Sequence, residues 1–113
     1  MFLRVGSAYI THPPRNTTVI EGSKVRLQCQ AESYPDNITY RWYHDGVDFQ
    51  LITSLAHRSR LLSDGTLVID NVAKGDRGWY KCRPTNDLGT PPEAEAYLNV
   101  TCKSQIDEIY SFV

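Results

Sequence analysis

Three cysteines are the residues of this sequence whose chemistry is easiest to recognise. Cys29, Cys82 and Cys102 can each be oxidised to a disulfide. Because their number is odd, at most one bridge forms within a single chain, and at least one cysteine stays outside it. For Cys102, a thiol exposed by truncation is favoured over a cross-link to a second chain. The cysteine count alone does not fix the redox compartment in which the protein works.

A second kind of covalent chemistry is offered by three sequons of the type Asn-x-Thr without proline in the middle. The acceptor residues are Asn16, Asn37 and Asn99. A single sequon arises often by chance, but three in a chain of 113 residues favour the secretory pathway. All three asparagines are therefore candidate N-glycosylation sites, and the protein is expected to be extracellular.

Catalytic and metal-binding chemistry is poorly represented. His12, His44 and His57 are scattered, no nucleophile motif accompanies them, and no His/Cys spacing suits zinc. We interpret them as solvated loop histidines. The sequence thus predicts no enzyme, no metal, no cofactor and no small-molecule substrate.

Length and charge narrow the class of protein further. A chain of 113 residues buries one core, and a formal net charge of −1 gives no reason to expect nucleic acid or an anionic membrane as partner. No apolar run is long enough to span a bilayer, so a membrane is expected only through a parent protein. The start, MFLRVGSAYI, is a poor signal peptide, and a secreted form should be part of a longer protein.

The elements that must position these residues have the period of β-strands. Pro13 and Pro14 break any early strand, after which Val25, Leu27 and Cys29 alternate with polar residues. Cys29 therefore lies on an inward face. The stretch SYPDN, 33–37, has turn chemistry because proline fixes φ and Asp and Asn bond their own backbone.

The middle of the chain continues the same pattern. Ile38, Tyr40 and Trp42 share an inward face, and the strand ends at the turn His44-Asp45-Gly46. Residues 48–63 are less regular and are interpreted as short edge strands. Asp64-Gly65 makes another turn, and Leu67, Ile69 and Val72 resume a buried spacing.

The last part of the chain contains the stretch DRGWYKC, 76–82, with Tyr80 and Cys82 on one face and Trp79 and Lys81 on the other. A turn at Asn86-Asp87-Leu88-Gly89 precedes a final strand whose inward residues are Ala96, Leu98 and Val100. No segment has a sustained helical period. The chain is predicted to be all-β, with short strands spaced as in a two-sheet Greek-key sandwich.

Cysteine at 29, tryptophan at 42, DxGxYxC at 76–82 and NxxG at 86–89 together resemble an immunoglobulin domain of the I-set. We assign residues 9–101 to this domain, residues 1–8 to an N-terminal flank and residues 102–113 to a C-terminal tail. AESYPDNITYRWY, SDGTLVI and NDLGTPPEAEAYLNV further resemble a middle ectodomain module of the turtle family of neuronal adhesion proteins, which includes immunoglobulin superfamily member nine.

The resemblance implies both a disulfide and a function. Cys29 and Cys82 match the bridge between the sheets, with Trp42, Tyr80 and Leu67 in the core and the Tyr80 hydroxyl bonding back to the preceding turn. The implied parent is a type I plasma-membrane protein with several such domains and fibronectin repeats. Its roles would be cell adhesion, dendrite and axon patterning and synapse organisation.

The resemblance also implies an ion pair and has two departures. Arg58 or Arg60 is expected to pair with Asp76, and an exposed pair of this kind contributes at most about 1 kcal/mol. The tail, CKSQIDEIYSFV, does not continue as the family does. Its end, Ser111-Phe112-Val113, matches peptides bound by PDZ domains, and Tyr110 with Val113 matches a phosphotyrosine or sorting motif; chance explains both. Trp79 replaces a small polar or charged residue of the family.

Strand alternation gathers an unusual set of residues on one outer face. It carries Arg41, Tyr43, Trp79, Lys81 and Tyr97, with Arg83 and Glu95 beside them. Trp, Tyr and Arg are enriched in binding hot spots, so we interpret this face as a protein-binding surface centred on Trp79. The alternative is that Trp79 packs flat beneath neighbouring Lys and Arg stems. A glycan on Asn99 would crowd one end of the surface.

Three functional interpretations remain. The first is an adhesion module that binds a cell-surface protein, homophilically or heterophilically. The second is a soluble secreted binding protein or receptor fragment. The third is an intracellular, load-bearing muscle-type module, which requires empty sequons and an unbridged Cys29 and Cys82.

Overall fold

The structure of this protein, a computed structural model, describes residues 5–102. Within that range the chain forms strands, two single turns of 3₁₀ helix and one short α-helix, α1 (Thr53–Ala56). The strands, numbered in chain order, are β1 Gly6–His12, β2 Thr17–Ile20, β3 Val25–Leu27, β4 Gln30–Tyr34, β5 Thr39–His44, β6 Val47–Asp48, β7 Ser59–Leu61, β8 Leu67–Ile69, β9 Gly78–Thr85 and β10 Ala94–Thr101. The predicted all-β class is confirmed.

The strands form two layers that face each other across the core. One layer is a five-stranded sheet in the order β2-β10-β9-β5-β6, in which only β2 and β10 run parallel. The other contains a two-stranded sheet, β1-β4, and a three-stranded sheet, β3-β8-β7. Since only Gln28 and Cys29 separate β3 from β4, these two sheets continue one another along the chain. The predicted two-sheet sandwich is therefore confirmed.

The chain changes layer at Pro13 and Pro14. The strand before them, β1, pairs with β4, whereas the strand after them, β2, pairs with β10 in the opposite layer. Proline has no backbone N–H and cannot continue a hydrogen-bonded ladder. The expectation that the two prolines end the first strand is confirmed.

Residues 48–63 were expected to form edge strands, and this is largely wrong. A 3₁₀ turn covers Phe49–Leu51, α1 follows it, and the strands there are only β7 and the last residue of β6, Asp48. The carboxylate of Asp48 accepts a hydrogen bond from the Gln50 N–H at 3.0 Å and so caps the turn. Phe49 and Leu55 are buried, so this segment covers the core with two side chains that strand alternation would not have selected.

The core is centred on the disulfide between Cys29 and Cys82, whose Cα atoms lie 6.5 Å apart. The predicted bridge is confirmed. It closes a loop spanning 53 residues, which contributes roughly 4 kcal/mol in the chain-entropy model. Trp42, Tyr80 and Leu67 belong to the same buried cluster and are fully shielded from solvent.

Gly65 brings the turn after β7 against this core. Its φ is +98°, and a Cβ placed there would lie 2.0 Å from the carbonyl oxygen of Cys29 and 2.6 Å from the ring of Tyr40. Its own carbonyl accepts a hydrogen bond of 2.9 Å from the Trp42 indole. Glycine is thus required at position 65 for two reasons: its positive φ, and the lack of space for a side chain next to Cys29 and Tyr40.

We expect Gly65→Ala to destabilise the domain by about 3 kcal/mol or more, because the new methyl must displace the Cys29 backbone or the Tyr40 ring in addition to straining φ. The measurement is the urea midpoint of unfolding. Gly75→Ala is the matched control, since nothing lies within 4 Å of a Cβ there and its φ is not in the left-handed region. Equal midpoints for the two variants would contradict the close approach of Gly65.

Candidate functional site

The register of β5, β9 and β10 defines the outer surface of the five-stranded sheet. Cross-strand neighbours on this surface are Trp79 with Tyr97, Lys81 with Glu95 and with Tyr43, and Arg41 with Arg83. We call this surface the outer face and define it by the seven side chains Arg41, Tyr43, Trp79, Lys81, Arg83, Glu95 and Tyr97. The alternation in the sequence selected these residues, and the pairing brings them together.

An exposed aromatic pair occupies one end of the outer face. The rings of Trp79 and Tyr97 meet edge to face, with centroids 5.3 Å apart and planes at 74°. Trp79 is 48% exposed and Tyr97 is 37% exposed. The geometry is the one that aromatic quadrupoles favour, and it stabilises the two side chains in one arrangement while leaving apolar surface in water.

A charged cluster occupies the other end. The Arg83 guanidinium lies 5.0 Å from the centroid of the Tyr43 ring, and its Nε donates a hydrogen bond of 2.8 Å to the Glu93 carboxylate. Lys81 Nζ lies 3.7 Å from the same carboxylate. The hydrogen bonds from Arg83 lower the pKa of Glu93 below its ordinary value. The cluster therefore holds an aromatic ring and a fixed guanidinium side by side.

Glu93 was missed in the sequence. It precedes β10, in a segment that contains prolines and therefore did not look like part of a strand. Its position is two residues before Glu95, so extending the outward phase of β10 backwards by one step would have found it.

Hydrogen bonds from the β5–β6 hairpin, whose turn is Asp45-Gly46, fix the position of Trp79; we call it the Asp45 hairpin. The Asp45 carboxylate accepts a hydrogen bond of 2.9 Å from the Trp79 N–H, and the Asp45 N–H donates one of 2.8 Å to the Trp79 carbonyl. Gly78 makes this approach possible, because a Cβ there would lie 2.6 Å from the Asp45 carboxylate. The glycine in DRGWYKC is needed for the turn at Asp45-Gly46 to contact the start of β9.

His44 is a correction to the sequence interpretation, which took it for a solvated histidine. Its side chain is only 11% exposed, its ring stacks on Tyr80 with centroids 4.5 Å apart, and its Nε2 lies 2.9 Å from the Arg77 carbonyl oxygen. His12 and His57 are exposed. His44 packs beneath the hairpin that holds Trp79 and has a structural role.

The predicted pair of Asp76 with an arginine forms with Arg58, and it is not the exposed pair that was expected. Two bonds of 2.7 and 2.8 Å join the guanidinium to both carboxylate oxygens, and the two side chains are 21% and 6% exposed. The same carboxylate accepts the Ala73 N–H at 2.9 Å. Arg60, the other candidate, lies 3.8 Å from Asp70 on the surface, so of the two arginines it is Arg58 that pairs with Asp76.

The tyrosine corner is built on this ion pair. The Tyr80 hydroxyl donates a hydrogen bond of 2.6 Å to the Asp76 carbonyl oxygen, four residues earlier. Burial, reinforced by the Asp76 charge, raises the pKa of the Tyr80 phenol. Burial also acts to raise the pKa of Asp76, but the hydrogen bonds from Arg58 and Ala73 outweigh it and lower that pKa below its ordinary value.

The three sequons lie at different places around the outer face. Asn16 is exposed, and its Oδ1 accepts a hydrogen bond of 2.8 Å from the Tyr97 N–H at the edge of the sheet. Asn37 is exposed in the loop between β4 and β5. Asn99 lies on β10 in the outward phase of Tyr97 and is half-buried.

Some expectations concern residues outside the described range. The motifs at Tyr110 and Ser111-Phe112-Val113 lie there, as does most of the predicted tail. Cys102 is half-buried, directly after β10. The proposed boundaries at 9 and 101 stay a prediction, although β1 begins at Gly6 and β10 ends at Thr101. Across residues 5–102, no cluster of three potential metal ligands occurs, and no helix is long and apolar enough to cross a membrane.

A sequence model of the immunoglobulin domain matches residues 9–86. The chain therefore belongs to the immunoglobulin domain family. Together with the intersheet disulfide, the buried Trp42 and the tyrosine corner, this defines a binding or structural module, and the chain is not an enzyme.

Within that family the chain is similar to particular proteins. It is 42% identical over 104 residues to mouse protein turtle homolog A and 39% identical over 101 residues to protein turtle of Drosophila melanogaster. These matches cover 92% and 89% of this chain, but only 9% and 7% of the length of the relatives. The resemblance to the turtle family is thereby confirmed for this one module.

Solved structures agree with the fold. Extracellular domains 3–5 of Drosophila OTK match with a TM-score of 0.74 at 29% identity, over 84% of this chain and 32% of that one. Titin domain M4 matches with a TM-score of 0.73 at 26% identity, over 87% of this chain and 99% of that one. Extracellular domains of OTK and a domain of titin thus share this sandwich, so the fold alone does not choose among the three functional interpretations.

The ion pair at the tyrosine corner predicts a specific loss of stability in acid. Because the pKa of Asp76 is lowered in the folded state, its contribution is complete above the ordinary value of about 4 and is lost as the pH falls through the folded value. Asp76→Asn should therefore destabilise by about 3 kcal/mol at pH 7 and by much less near pH 2.

The measurement is the free energy of unfolding by urea between pH 7 and pH 2, for the wild type and Asp76→Asn. Asp70→Asn is the matched control, since Asp70 is a surface carboxylate whose ion pairs are longer, at 3.5 and 3.8 Å. A difference between wild type and Asp76→Asn that stays constant over this range would contradict the electrostatic role of the pair.

Proposed function

We propose that this chain is a cell-surface recognition module of a neuronal immunoglobulin-superfamily adhesion protein and that it binds another protein through the outer face. The similarity to the turtle proteins supports the setting, which includes adhesion, dendrite and axon patterning and synapse organisation. The relatives are far longer than this chain, so the module would act as one part of such a protein.

The observation that carries the proposal is the exposed pair of Trp79 and Tyr97. About half of the Trp79 side chain is in water, and this exposed apolar area does not stabilise the isolated domain. Binding to a partner would bury the area and gain free energy. The Asp45 hairpin and the edge-to-face contact already order these side chains, so a partner would lose little conformational entropy in fixing them.

The charged end of the outer face would supply specificity. Arg83 is held by Glu93 and lies over Tyr43, so the guanidinium presents its remaining donors in a defined direction. A partner with a carboxylate opposite Arg83 or Lys81 would be favoured, whereas a partner with a basic patch would be repelled. Such a surface suits a second protein and offers no enclosed site for a small molecule.

The extracellular setting favours this function over a load-bearing role inside a cell. The Cys29–Cys82 bridge forms and persists in oxidising compartments, and the three sequons would be modified only in the secretory pathway. The likeness to titin is a likeness of fold, at 26% identity, whereas the turtle relatives are more similar in sequence.

The test is adhesion by the variant Trp79→Ala/Tyr97→Ala, in protein expressed through a secretory pathway and freed of N-glycans enzymatically. Beads coated with the chain would be scored for aggregation with each other and for attachment to cultured neurons. We expect at least about a tenfold loss in one of the two assays, because hot-spot aromatics each contribute about 2 kcal/mol.

The matched control is Tyr9→Ala/Tyr34→Ala, which also removes two exposed aromatics but from β1 and β4 in the opposite layer. This variant should adhere like the wild type, and circular dichroism should show that both variants are folded. Adhesion of Trp79→Ala/Tyr97→Ala that equals the control in both assays would exclude the outer face as the binding surface.

A further inference from the structure

We propose that Asn99 carries an N-linked glycan whose first N-acetylglucosamine lies on the Trp79–Tyr97 pair and covers it. The consequence for adhesion, that this glycan masks the outer face, rests on the function proposed above. The position of the sugar does not, because it follows from where one sequon and two aromatic rings lie on the same sheet.

The strand register places the modified nitrogen beside the rings. Residues on β10 alternate between buried and outward positions, and Tyr97 and Asn99 are consecutive outward positions about 7 Å apart. Tyr97 is the direct neighbour of Trp79 on β9. Asn99 therefore follows the aromatic pair along the strand, on the same side of the sheet.

Space is available for a sugar at this end of the sheet. The strand β9 begins at Gly78, opposite Leu98, and the exposed Arg77 before it lies across from Asn99, where its Nε donates a hydrogen bond of 3.2 Å to the Lys74 carbonyl oxygen. On the other side the parallel neighbour is Thr18, a small residue. A sugar on Asn99 that turns along β10 past Thr18 therefore reaches the Trp79–Tyr97 pair, whereas one that turns the other way meets Arg77.

The chemistry of the first sugar fits these rings. One face of N-acetylglucosamine presents C–H groups, and its acetyl group adds a methyl. Apolar groups of this kind gain free energy by covering an aromatic face that is otherwise in water. An exposed tryptophan offers the largest such face of any side chain, and here a tyrosine extends it.

The modification itself is an ordinary transfer from a lipid-linked oligosaccharide. The Asn99 Nδ2 forms a bond to the anomeric carbon of N-acetylglucosamine, the bond from that carbon to the lipid diphosphate breaks, and the amide loses one proton. No electrons are exchanged with an oxidant or reductant. The donor is present in the secretory compartment in which the sequons would be read.

Of the three sequon asparagines, Asn99 is the one best placed to put its first sugar on the Trp79–Tyr97 pair. Asn37 lies beyond the opposite end of β5, since Thr39 pairs with Thr85 at the far end of β9 from Gly78. Asn16 uses its Oδ1 to accept the Tyr97 N–H, which holds its amide at the sheet edge. Among residues 5–102 the Asn99 side chain has no such hydrogen bond that would turn it away from the outer face.

Tryptophan fluorescence gives a direct test. The chain has two tryptophans, of which Trp42 is fully buried and Trp79 is half exposed, so quenching by acrylamide reports Trp79. Three forms of the secreted protein would be compared: one with a glycan on Asn99 only (Thr18→Ala/Asn37→Gln), one with a glycan on Asn37 only (Thr18→Ala/Asn99→Gln), and one with all three sequons removed (Thr18→Ala/Asn37→Gln/Asn99→Gln). Intact mass establishes the occupancy of each form.

We expect a quenching constant about twofold lower in the Asn99 form than in the form without glycans, and no change in the Asn37 form. Trimming with an endoglycosidase to a single N-acetylglucosamine should retain the protection, and its acetyl methyl protons should be shifted upfield by ring currents. The upfield shift of the methyl should disappear in the Asn99 form that also carries Trp79→Ala/Tyr97→Ala, a variant that lacks the tryptophan needed for the quenching measurement.

Three results would overturn the inference: an unoccupied Asn99, equal quenching with and without its glycan, or an acetyl methyl at its solvent position. The last two would be found if the sugar turned into the depression of about 310 Å³ lined by Lys74, Arg77 and Thr101 on the other side of Asn99.

Adhesion distinguishes this inference from the proposed function. If both hold, beads carrying the Asn99 form adhere less than beads carrying the form without glycans. Quenching could show that Trp79 is covered while adhesion of the glycan-free protein is insensitive to Trp79→Ala/Tyr97→Ala. That result would support the sugar site and exclude the outer face as the binding surface.

Discussion

The sandwich is built around the place where the Cys29–Cys82 disulfide, the Trp42 indole and the turn at Gly65 meet. The bridge joins the two layers, the indole fills the space beside it, and the Gly65 carbonyl accepts the indole N–H, so no polar group is left unpaired there. Gly65 can do this only because it has no side chain to collide with the Cys29 backbone. One covalent bond, one ring and one turn thereby fix the separation of the layers.

A second constraint links the core to the outer face. Tyr80 and Trp79 are consecutive on β9 and point to opposite sides, so whatever orders one orders the other. Tyr80 is held by its bond to the Asp76 carbonyl and by the His44 ring, and Trp79 is held by the Asp45 hairpin. The exposed tryptophan is therefore supported from beneath, which gives a binding or sugar-covered surface a defined shape.

The aromatic surface can serve both as a protein-binding surface and as the surface covered by a sugar, because the two do not cover the same part of the outer face. A protein partner would bury Trp79 and Tyr97 together with the Arg83 end, whereas a sugar on Asn99 would cover only the nearer end. Both follow from the same physical fact, that about half of a large aromatic side chain lies in water on an ordered sheet. The state of Asn99 would then decide how much of the outer face is available.

The sequence was sufficient to predict the fold class, the inward residues of the main strands and the membership of the outer face, because each depends on a period of two that is local to a strand. It also indicated the disulfide, through a resemblance in cysteine and tryptophan spacing. It was wrong where local pattern was weak: residues 48–63 contain helical turns, because the burial of Phe49 and Leu55 against the core decides their conformation.

The contacts between residues of distant segments are found only in the folded chain. Arg58 rather than Arg60 reaches Asp76, His44 is packed under Tyr80 rather than solvated, and Gly78 is needed because Asp45, 33 positions earlier, lies against it. Contacts of this kind join segments that are distant in sequence, and nothing in the local pattern of either segment encodes the distance between them. They appear once strand pairing has brought the segments to within a hydrogen bond of each other.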